Sequence, residues 1–312
     1  MFRIRAQDIR NTIVSIVQHW RLGPSRDGSV RFGQSHDGAV NTMIEQAQRL
    51  LNWMMHLESA VIAHSGGVDS AVVASAAHRV LGAKAMAVTG MGAAVSQRDR
   101  EDAVLASQSI GIQHRFLETR ESFDEAYRIN DKRRCFHCKT HLYRTLSEWA
   151  QQNGFCSVLS GTNADDLGDY RPGLEAASHY RVLAPLAELN LGKADVRQIA
   201  AEWSIPLATK PASPCLASRI AYGERVEPER LRRIEFAEAF LRRCGVEDVR
   251  VRLYPNEVAM VEVPMTSLPI LKAEEVWRQV EQELLGLGFA RVLFDPEGLQ
   301  SGKMNRMLPI LS

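Results

Sequence analysis

The segment from 60 to 82 constrains the fold most. A four-residue apolar run, AVIA (60–63), leads into HSGGVDS (64–70) and then into AVVASAAHRVLG (71–82). A short, wholly apolar run of this kind reads as a fully buried strand. The two glycines allow a tight turn, and the Ala-rich stretch reads as a helix that closes on Gly82. Such a crossing leaves the first N–H groups of the helix open at the positive end of its dipole, where an anion binds. The pattern then repeats. Ala85–Val88, Gln113–Leu117 and Cys156–Leu159 read as strands, with helices from a Ser96 cap through Ile110 and from His141 to Asn153, and an amphipathic helix over 43–56 ahead of them. Strands alternating with helices predict a Rossmann-like α/β domain with a parallel sheet covered on both faces.

The texture changes twice. Residues 1–40 combine a short helical stretch, Ile9–Trp20, with a Gly-, Ser- and Arg-rich segment of no period, and read as an extension. Around 204–226 the period is lost again, as at an interdomain crossing. Beyond it come an Arg/Glu-rich helix over 229–244, alternating strands at 249–253 and 258–263, a helix at about 272–286 and a last strand at 290–294. That is a second, smaller α+β domain. The expected division is an extension at 1–40, a nucleotide-binding domain at 41–210 and a substrate-binding domain at 211–312.

The net charge of the 312 residues is +1. Residues 219–252 carry nine Arg against seven acids, an excess of only two. That balance argues against a nucleic-acid partner. No apolar stretch is long enough to span a membrane, and the basic N-terminus has no signal-peptide core, so a cytoplasmic protein is expected.

Two motifs carry nucleotide chemistry. Ser65, Gly66, Gly67, Asp69 and Ser70 form the loop, with Ser65 and Ser70 as hydroxyl donors and Asp69 suited to a Mg²⁺ that bridges carboxylate and phosphates. No Lys follows the glycines, so this is not the P-loop that serves β/γ chemistry. It suits attack at the α-phosphate with pyrophosphate leaving. GTNADD (161–166) follows a later strand, and Asp165 and Asp166 there suit a Mg²⁺–pyrophosphate role at a sheet's C-terminal edge. SGGVDS resembles the PP-loop of the ATP pyrophosphatase superfamily.

Of five cysteines, Cys135 and Cys138 form a C-x-x-C amid Lys132, Arg133, Arg134 and Lys139, where positive charge favours thiolates. A redox pair, a zinc site completed by His137 and His141, and an iron–sulfur site with Cys215 as third thiolate are all open to it. Cys156 and Cys244 read as packing residues.

Taken in order, SGGVDS, RCFHCK, GTNADDLGDYRPG, SPCLASRI and VRVRLY resemble the LarE family, ATP-dependent sulfur transferases of nickel-pincer nucleotide biosynthesis. The resemblance spans about residues 42–300. It implies adenylation of a carboxylate of pyridinium-3,5-biscarboxylic acid mononucleotide by ATP and Mg²⁺, then conversion to the thiocarboxylate. With Cys135 and Cys138 present beside Cys215, it implies the class in which three cysteines hold a [4Fe–4S] cluster and sulfide is delivered through it, Cys215 being a ligand. It further implies that Lys139 belongs to the nucleotide site and that Ser218, Arg250 and Arg252 hold the substrate phosphate. Glu262 matches an acidic residue near the active site, and a homo-oligomer is expected. Arg250 and Arg252 alternate on one strand, so both face one side, and Arg suits bidentate phosphate contacts. Rival readings are a tRNA-thiolating PP-loop enzyme, a zinc-stabilised nucleotide-binding protein without turnover, and an ammonia-using synthetase.

Overall fold

The computed structural model describes residues 36–168, 172–206, 208, 214–300 and 303, with side chains from residue 45 onward. The expected helix at 9–20, most of the N-terminal extension, residues 169–171 of the GTNADDLGDYRPG stretch and the boundary at 210/211 lie outside the described residues. Thr42–Ser312 forms one compact unit that contains two sheets.

The first sheet has four parallel strands: β1 (Ala60–Ala63), β2 (Ala85–Met91), β3 (Gln113–Glu118) and β4 (Ser157–Leu159), in the order β3-β2-β1-β4. Both faces are covered, as expected of a parallel sheet. Ala60 and Ile62 point into a core made by α1 (His36–Met54), α2 (Val68–Leu81) and α8 (Lys193–Glu202). Val61 points the other way, into a core with Tyr143 and Leu146 of α5 (Arg134–Gln152) and Ala176 of α6 (Pro172–His179). One-residue alternation along β1 thus serves two cores.

Local chemistry sets the boundaries. α3 (Gln97–Ile110) starts on the expected Ser96 cap, whose Oγ accepts from the Asp99 N–H at 3.1 Å, and it stops at a left-handed Gly111. α5 begins seven residues before the expected His141, so the C-x-x-C lies inside a helix. Asp131 starts it: its Oδ1 accepts the Arg133 N–H at 2.7 Å and its carbonyl the Arg134 N–H at 3.1 Å. The basic run that follows contains no helix breaker, and positive charge in a first turn was not enough to stop it. Between these elements lie α4 (Glu125–Arg128) and α7 (Pro185–Glu188).

The second sheet holds β5 (Arg250–Tyr254), β6 (Val258–Glu262) and β7 (Arg291–Phe294), with β5 antiparallel and β7 parallel to β6. α9 (Pro228–Arg243), α10 (Leu268–Lys272) and α11 (Glu274–Gly286) accompany it, and Leu231, Ile234, Leu241, Val251, Val280 and Leu284 share its core. Cys156 is a correction. It precedes β4, is exposed, and sits 3.7 Å from Glu58 Oε2, so it packs nothing.

Candidate active site

In the order β3-β2-β1-β4 the chain moves outward in opposite directions from β1, so the switch point lies between β1 and β4, where α/β sheets open a ligand crevice at the carboxyl ends of the strands. SGGVDS follows β1 and GTNADD follows β4, so the topology brings the two motifs together. Gly66 has φ +74°, and a Cβ there would lie 2.5 Å from the Asp99 carbonyl oxygen. A Cβ on Gly161 would lie 2.6 Å from the Ser70 nitrogen. Only glycine permits either approach. Gly67 caps α2 without a side-chain hydrogen bond, which leaves the helix start free for an anion.

Asn163, fully buried, donates from Nδ2 to Asp69 Oδ1 at 3.2 Å. Burial holds the Asp69 carboxyl above its usual range, and neighbouring Asp166 adds to this against Asn163 and Lys193. Asp165 and Asp166 part company. Asp165 Oδ2 accepts the Lys193 N–H at 2.7 Å and so caps α8, whereas Asp166 lies beside Asp69 and 3.6 Å from the Lys193 ammonium. Two residues absent from the sequence reading stand here: Lys193, and His64 under the loop. His64 Nδ1 lies 3.2 Å from Ser70 Oγ and its Nε2 3.2 Å from the Ala103 carbonyl. Ser70 Oγ in turn lies 3.2 Å from Ser65 Oγ. Burial first, then His114, lowers the His64 pKa to about 4, so the ring is neutral; with its Nε2–H on the Ala103 carbonyl, Nδ1 is an acceptor beside the Ser70 hydroxyl, which also reaches the Gly67 carbonyl at 3.0 Å. The His directly before the glycine loop was the available signal for it.

The thiols come from two distant segments. Cys135 and Cys138 are one turn apart on α5, and Cys215 caps the short turn Leu216–Arg219. Asn130, left-handed at φ +61°, joins them: its Nδ2 donates to the carbonyls of Ala221 and Glu224, both at 2.8 Å, and its Oδ1 accepts from Arg134 Nη1 at 2.5 Å. Arg134 Nη1 also reaches the Ala217 carbonyl at 2.9 Å. Burial, then Cys215 and Glu121, push the Cys138 thiol up. Tyr143 first, and then Cys138, Cys135 and Cys215, hold the Lys139 amine above its usual range against the effect of burial. Cys215, from the distant segment, thus acts electrostatically on both Cys138 and Lys139.

Ser218, Arg250, Arg252 and Glu262 also converge. Arg252 Nε donates to Glu262 Oε2 at 3.0 Å and its Nη1 to the Ser218 carbonyl at 2.8 Å. Arg252 is 3% exposed and Glu262 0%. Burial raises the Glu262 carboxyl pKa against Arg252. Arg219 is likewise buried, matched by Glu238 at 2.9 Å. The Arg250 side chain is half-buried with no hydrogen bond or ion pair among the described residues, and burial, then Arg252 and Arg219, lower its pKa against Glu262 and Glu238. A cation held in that way is a receptor for an anion.

Among the described residues no group of three or more His, Cys, Asp or Glu side chains is set closely enough to hold one metal ion. Mg²⁺ needs only one or two carboxylates beside substrate phosphates, and Asp69 with Asp166 fits that donor set. A four-iron cluster is wider than one ion and spreads its thiolates further apart. Three thiols beside Arg134 and Lys139 fit such an anionic group by donor type and charge.

A glycine loop of SGGxDS form at the switch point of a parallel sheet defines a PP-loop protein. The NAD synthase family model matches residues 43–139. An uncharacterised protein of Synechocystis sp. is 41% identical over 261 residues, 84% of this chain and 97% of that one. The pyridinium-3,5-bisthiocarboxylic acid mononucleotide synthase of Lactiplantibacillus plantarum is 30% identical over 269 residues, 86% of this chain and 96% of its own. The chain belongs to the LarE family. No helix among the described residues is long and apolar enough to cross a membrane.

Proposed function

We propose that the chain is an ATP-dependent sulfur transferase that converts carboxylates of pyridinium-3,5-biscarboxylic acid mononucleotide to thiocarboxylates. Residues 41–210 bind ATP, residues 211–312 bind the mononucleotide, and the enzyme works in the cytoplasm as a homo-oligomer. One observation carries the reading. The turn that Cys215 caps is the turn whose Ser218 carbonyl binds Arg252, so a thiol and Arg252 meet on one short piece of backbone.

The α2 N-terminus, with Ser65, Gly66, Gly67 and Ser70, receives the β- and γ-phosphates. Ser70 contributes its backbone N–H, since its one hydroxyl proton is taken within the loop by His64 Nδ1 or the Gly67 carbonyl. Asp69 and Asp166 would hold Mg²⁺, which would offset their mutual repulsion and that of the phosphates. Lys139 stands at the nucleotide. Ser218, Arg250 and Arg252 hold the substrate phosphate, and Glu262 fixes the Arg252 plane. A substrate carboxylate oxygen then attacks the α-phosphorus. The bond to the bridging oxygen breaks, and pyrophosphate leaves with the electron pair onto the loop. A sulfur nucleophile adds to the acyl carbon, and AMP leaves. The second carboxylate repeats the cycle. When bound by Cys135, Cys138 and Cys215, a [4Fe–4S] cluster supplies an open iron site for sulfide.

Pyrophosphate release that needs both ATP and the mononucleotide tests the first half. Iron and acid-labile sulfide, assayed on anaerobic wild-type and Cys135→Ala protein, test the second. Iron lost in the variant is expected. No iron in an anaerobic wild-type preparation would overturn the cluster and make Cys215 the candidate sulfur donor.

A further inference from the structure

One buried ion pair stands between the cysteine turn and the strand of the two arginines, and no step of the reaction uses it. Arg219 is 4% exposed, and Glu238, on α9, is 2% exposed. Arg219 Nε donates to Glu238 Oε1 at 2.9 Å, and its Nη2 donates to Oε2 at 3.3 Å. Taking two charges out of water is expensive, and apolar residues of similar volume often stabilise a core as well or better. Stability alone is therefore a poor reason for this pair.

Its other bonds show what it joins. Arg219 Nη1 donates to the carbonyls of Pro214 and Cys215, the latter at 3.0 Å. Two successive carbonyls on one guanidinium nitrogen hold the backbone at Cys215, while the Cys215 residue itself stays exposed. On the far side, Glu238 Oε1 also accepts the N–H of Val251 at 3.2 Å, and Oε2 accepts Arg242 Nη2 at 2.9 Å. Val251 is the residue between Arg250 and Arg252 on β5. One carboxylate thus ties the backbone at Cys215 to the backbone between the two arginines. The tie runs through a bidentate pair, whose planar geometry leaves little play. The bond from Arg252 Nη1 to the Ser218 carbonyl, at 2.8 Å, is a second tie between the same turn and the same strand. β6 holds β5 in register from Arg250 to Tyr254.

We propose that Glu238 is a positioning residue for sulfur transfer: acting through Arg219, it sets the distance between the sulfur chemistry at Cys215 and a substrate anchored by its phosphate on β5. The inference rests on the sulfur-transfer reading above. The pyridinium ring and its carboxylates are rigid, and the phosphate gives the molecule one anchored end. A nucleophile and an acyl carbon must come within about 3–3.5 Å to react, and a displacement of about 1 Å can cost about a hundredfold in rate. Adenylation belongs to the phosphate loop on the first sheet and does not pass through Arg219. Loosening the pair therefore slows thiocarboxylate formation and spares pyrophosphate release. Acyl-adenylate that sulfur does not reach is attacked by water, which returns the carboxylate and AMP.

The test is the amount of thiocarboxylate formed per pyrophosphate released, on full-length protein purified anaerobically. Iron per chain and the denaturant midpoint are read on the same samples. The ratio is taken over the first turnover, so it holds for a cluster-bound sulfide and for Cys215 as donor alike. In Glu238→Gln the ratio is expected to fall about tenfold or more, with the KM values for ATP and the mononucleotide as in the wild type. A general loss of structure does not produce that split. Arg219→Met/Glu238→Gln removes both charges together and keeps an oxygen for the Val251 N–H. Its midpoint is expected to exceed that of Glu238→Gln, while its ratio stays equally low. This double variant decides the matter if Glu238→Gln fails to fold. A wild-type ratio in either variant, a ratio restored along with the midpoint in the double variant, or a fall that only tracks lost iron overturns the positioning role. No pyrophosphate from the wild type with ATP and the mononucleotide sinks the sulfur-transfer reading. Pyrophosphate release with an unaltered ratio in the variants sinks the positioning role alone.

Discussion

Arg250 and Arg252 have the same spacing logic and different work. Arg252 is locked between Glu262 and the Ser218 carbonyl, and Arg250 is held half-buried with no ion-pair partner among the described residues, where burial, Arg252 and Arg219 outweigh Glu262 and Glu238. Removing Arg252 strands a fully buried carboxylate. Arg252→Met is therefore expected to lower stability by about 3 kcal/mol, read as a fall in the denaturant midpoint. Arg250→Met removes a charge that its surroundings disfavour on balance and leaves the midpoint unchanged or higher. It raises the KM for the mononucleotide about a hundredfold, the scale of a lost charge-assisted phosphate contact. Equal stability losses in the two variants would remove the basis for treating Arg250 as the open receptor. Asp69 separates stability from function in a similar way. Its carboxyl pKa is raised on folding, so its ionised form is penalised in the native state. That penalty grows as pH rises from the unfolded pKa through the folded one. Asp69→Asn keeps the oxygen that accepts from Asn163 and is expected to raise Tm at pH 7 while abolishing pyrophosphate release, because the Mg²⁺ ligand is gone. The experiment is one thermal melt and one pyrophosphate assay on the same protein.

At the scale of elements, the cysteine site depends on how α5 is joined to the turn at Leu216–Arg219. Asn130 makes that joint with one amide: two short bonds to the carbonyls of Ala221 and Glu224 and one from Arg134, on a left-handed backbone. Asn130→Ala leaves the carbonyls unpaired and keeps a Cβ in a left-handed position, so a loss of about 2–4 kcal/mol is expected. Iron retention should fall with it, since Cys135 and Cys138 would no longer be held against Cys215. Retained iron at wild-type level would detach the joint from the metal site. This element also marks where the sequence stopped being readable. The four strands and the two motifs at the switch point were legible, because short apolar runs and glycine turns are local signals. The second sheet was legible from the alternation at 249–253 and 258–263. The early start of α5 was hidden because its start signal, Asp131, stands ahead of an unpatterned basic run. The separation of Asp165 from Asp166 was hidden because it depends on α8, whose first N–H groups arrive from a remote part of the chain.

For the molecule as a whole, the coupling of the phosphate loop to the sheet beneath it fixes the acid limit. His64 stands between them. Its carbonyl accepts from Thr89 Oγ1 at 2.6 Å, its Nε2 meets the Ala103 carbonyl of α3, and its Nδ1 is an acceptor beside the hydroxyl of Ser70 on α2. The groups that face it are His114, whose own pKa burial also lowers, hydroxyls and backbone carbonyls, with no carboxylate bonded to it to welcome a proton. Its pKa falls from 6.5 in the unfolded chain to about 4 on folding. The unfolded chain therefore binds more protons between these values, and stability falls as pH drops through that window. The shift corresponds to about 3 kcal/mol, fully present above pH 6.5 and lost by pH 4. Carboxylates such as Asp124, whose pKa folding lowers through His141, add their own loss only further down, near and below the usual carboxylate range. His64→Gln cannot take up a proton. Whatever it does to stability at pH 7, its decline between pH 6.5 and pH 4.5 is expected to be shallower than that of the wild type. Denaturant midpoints at four pH values in this interval, for the two proteins, measure the difference in slope. Parallel slopes would mean that another group sets the acid limit. A shallower slope together with weakened ATP binding at pH 7 would tie both to the same ring, because protonation removes the acceptor that holds Ser70 in the loop.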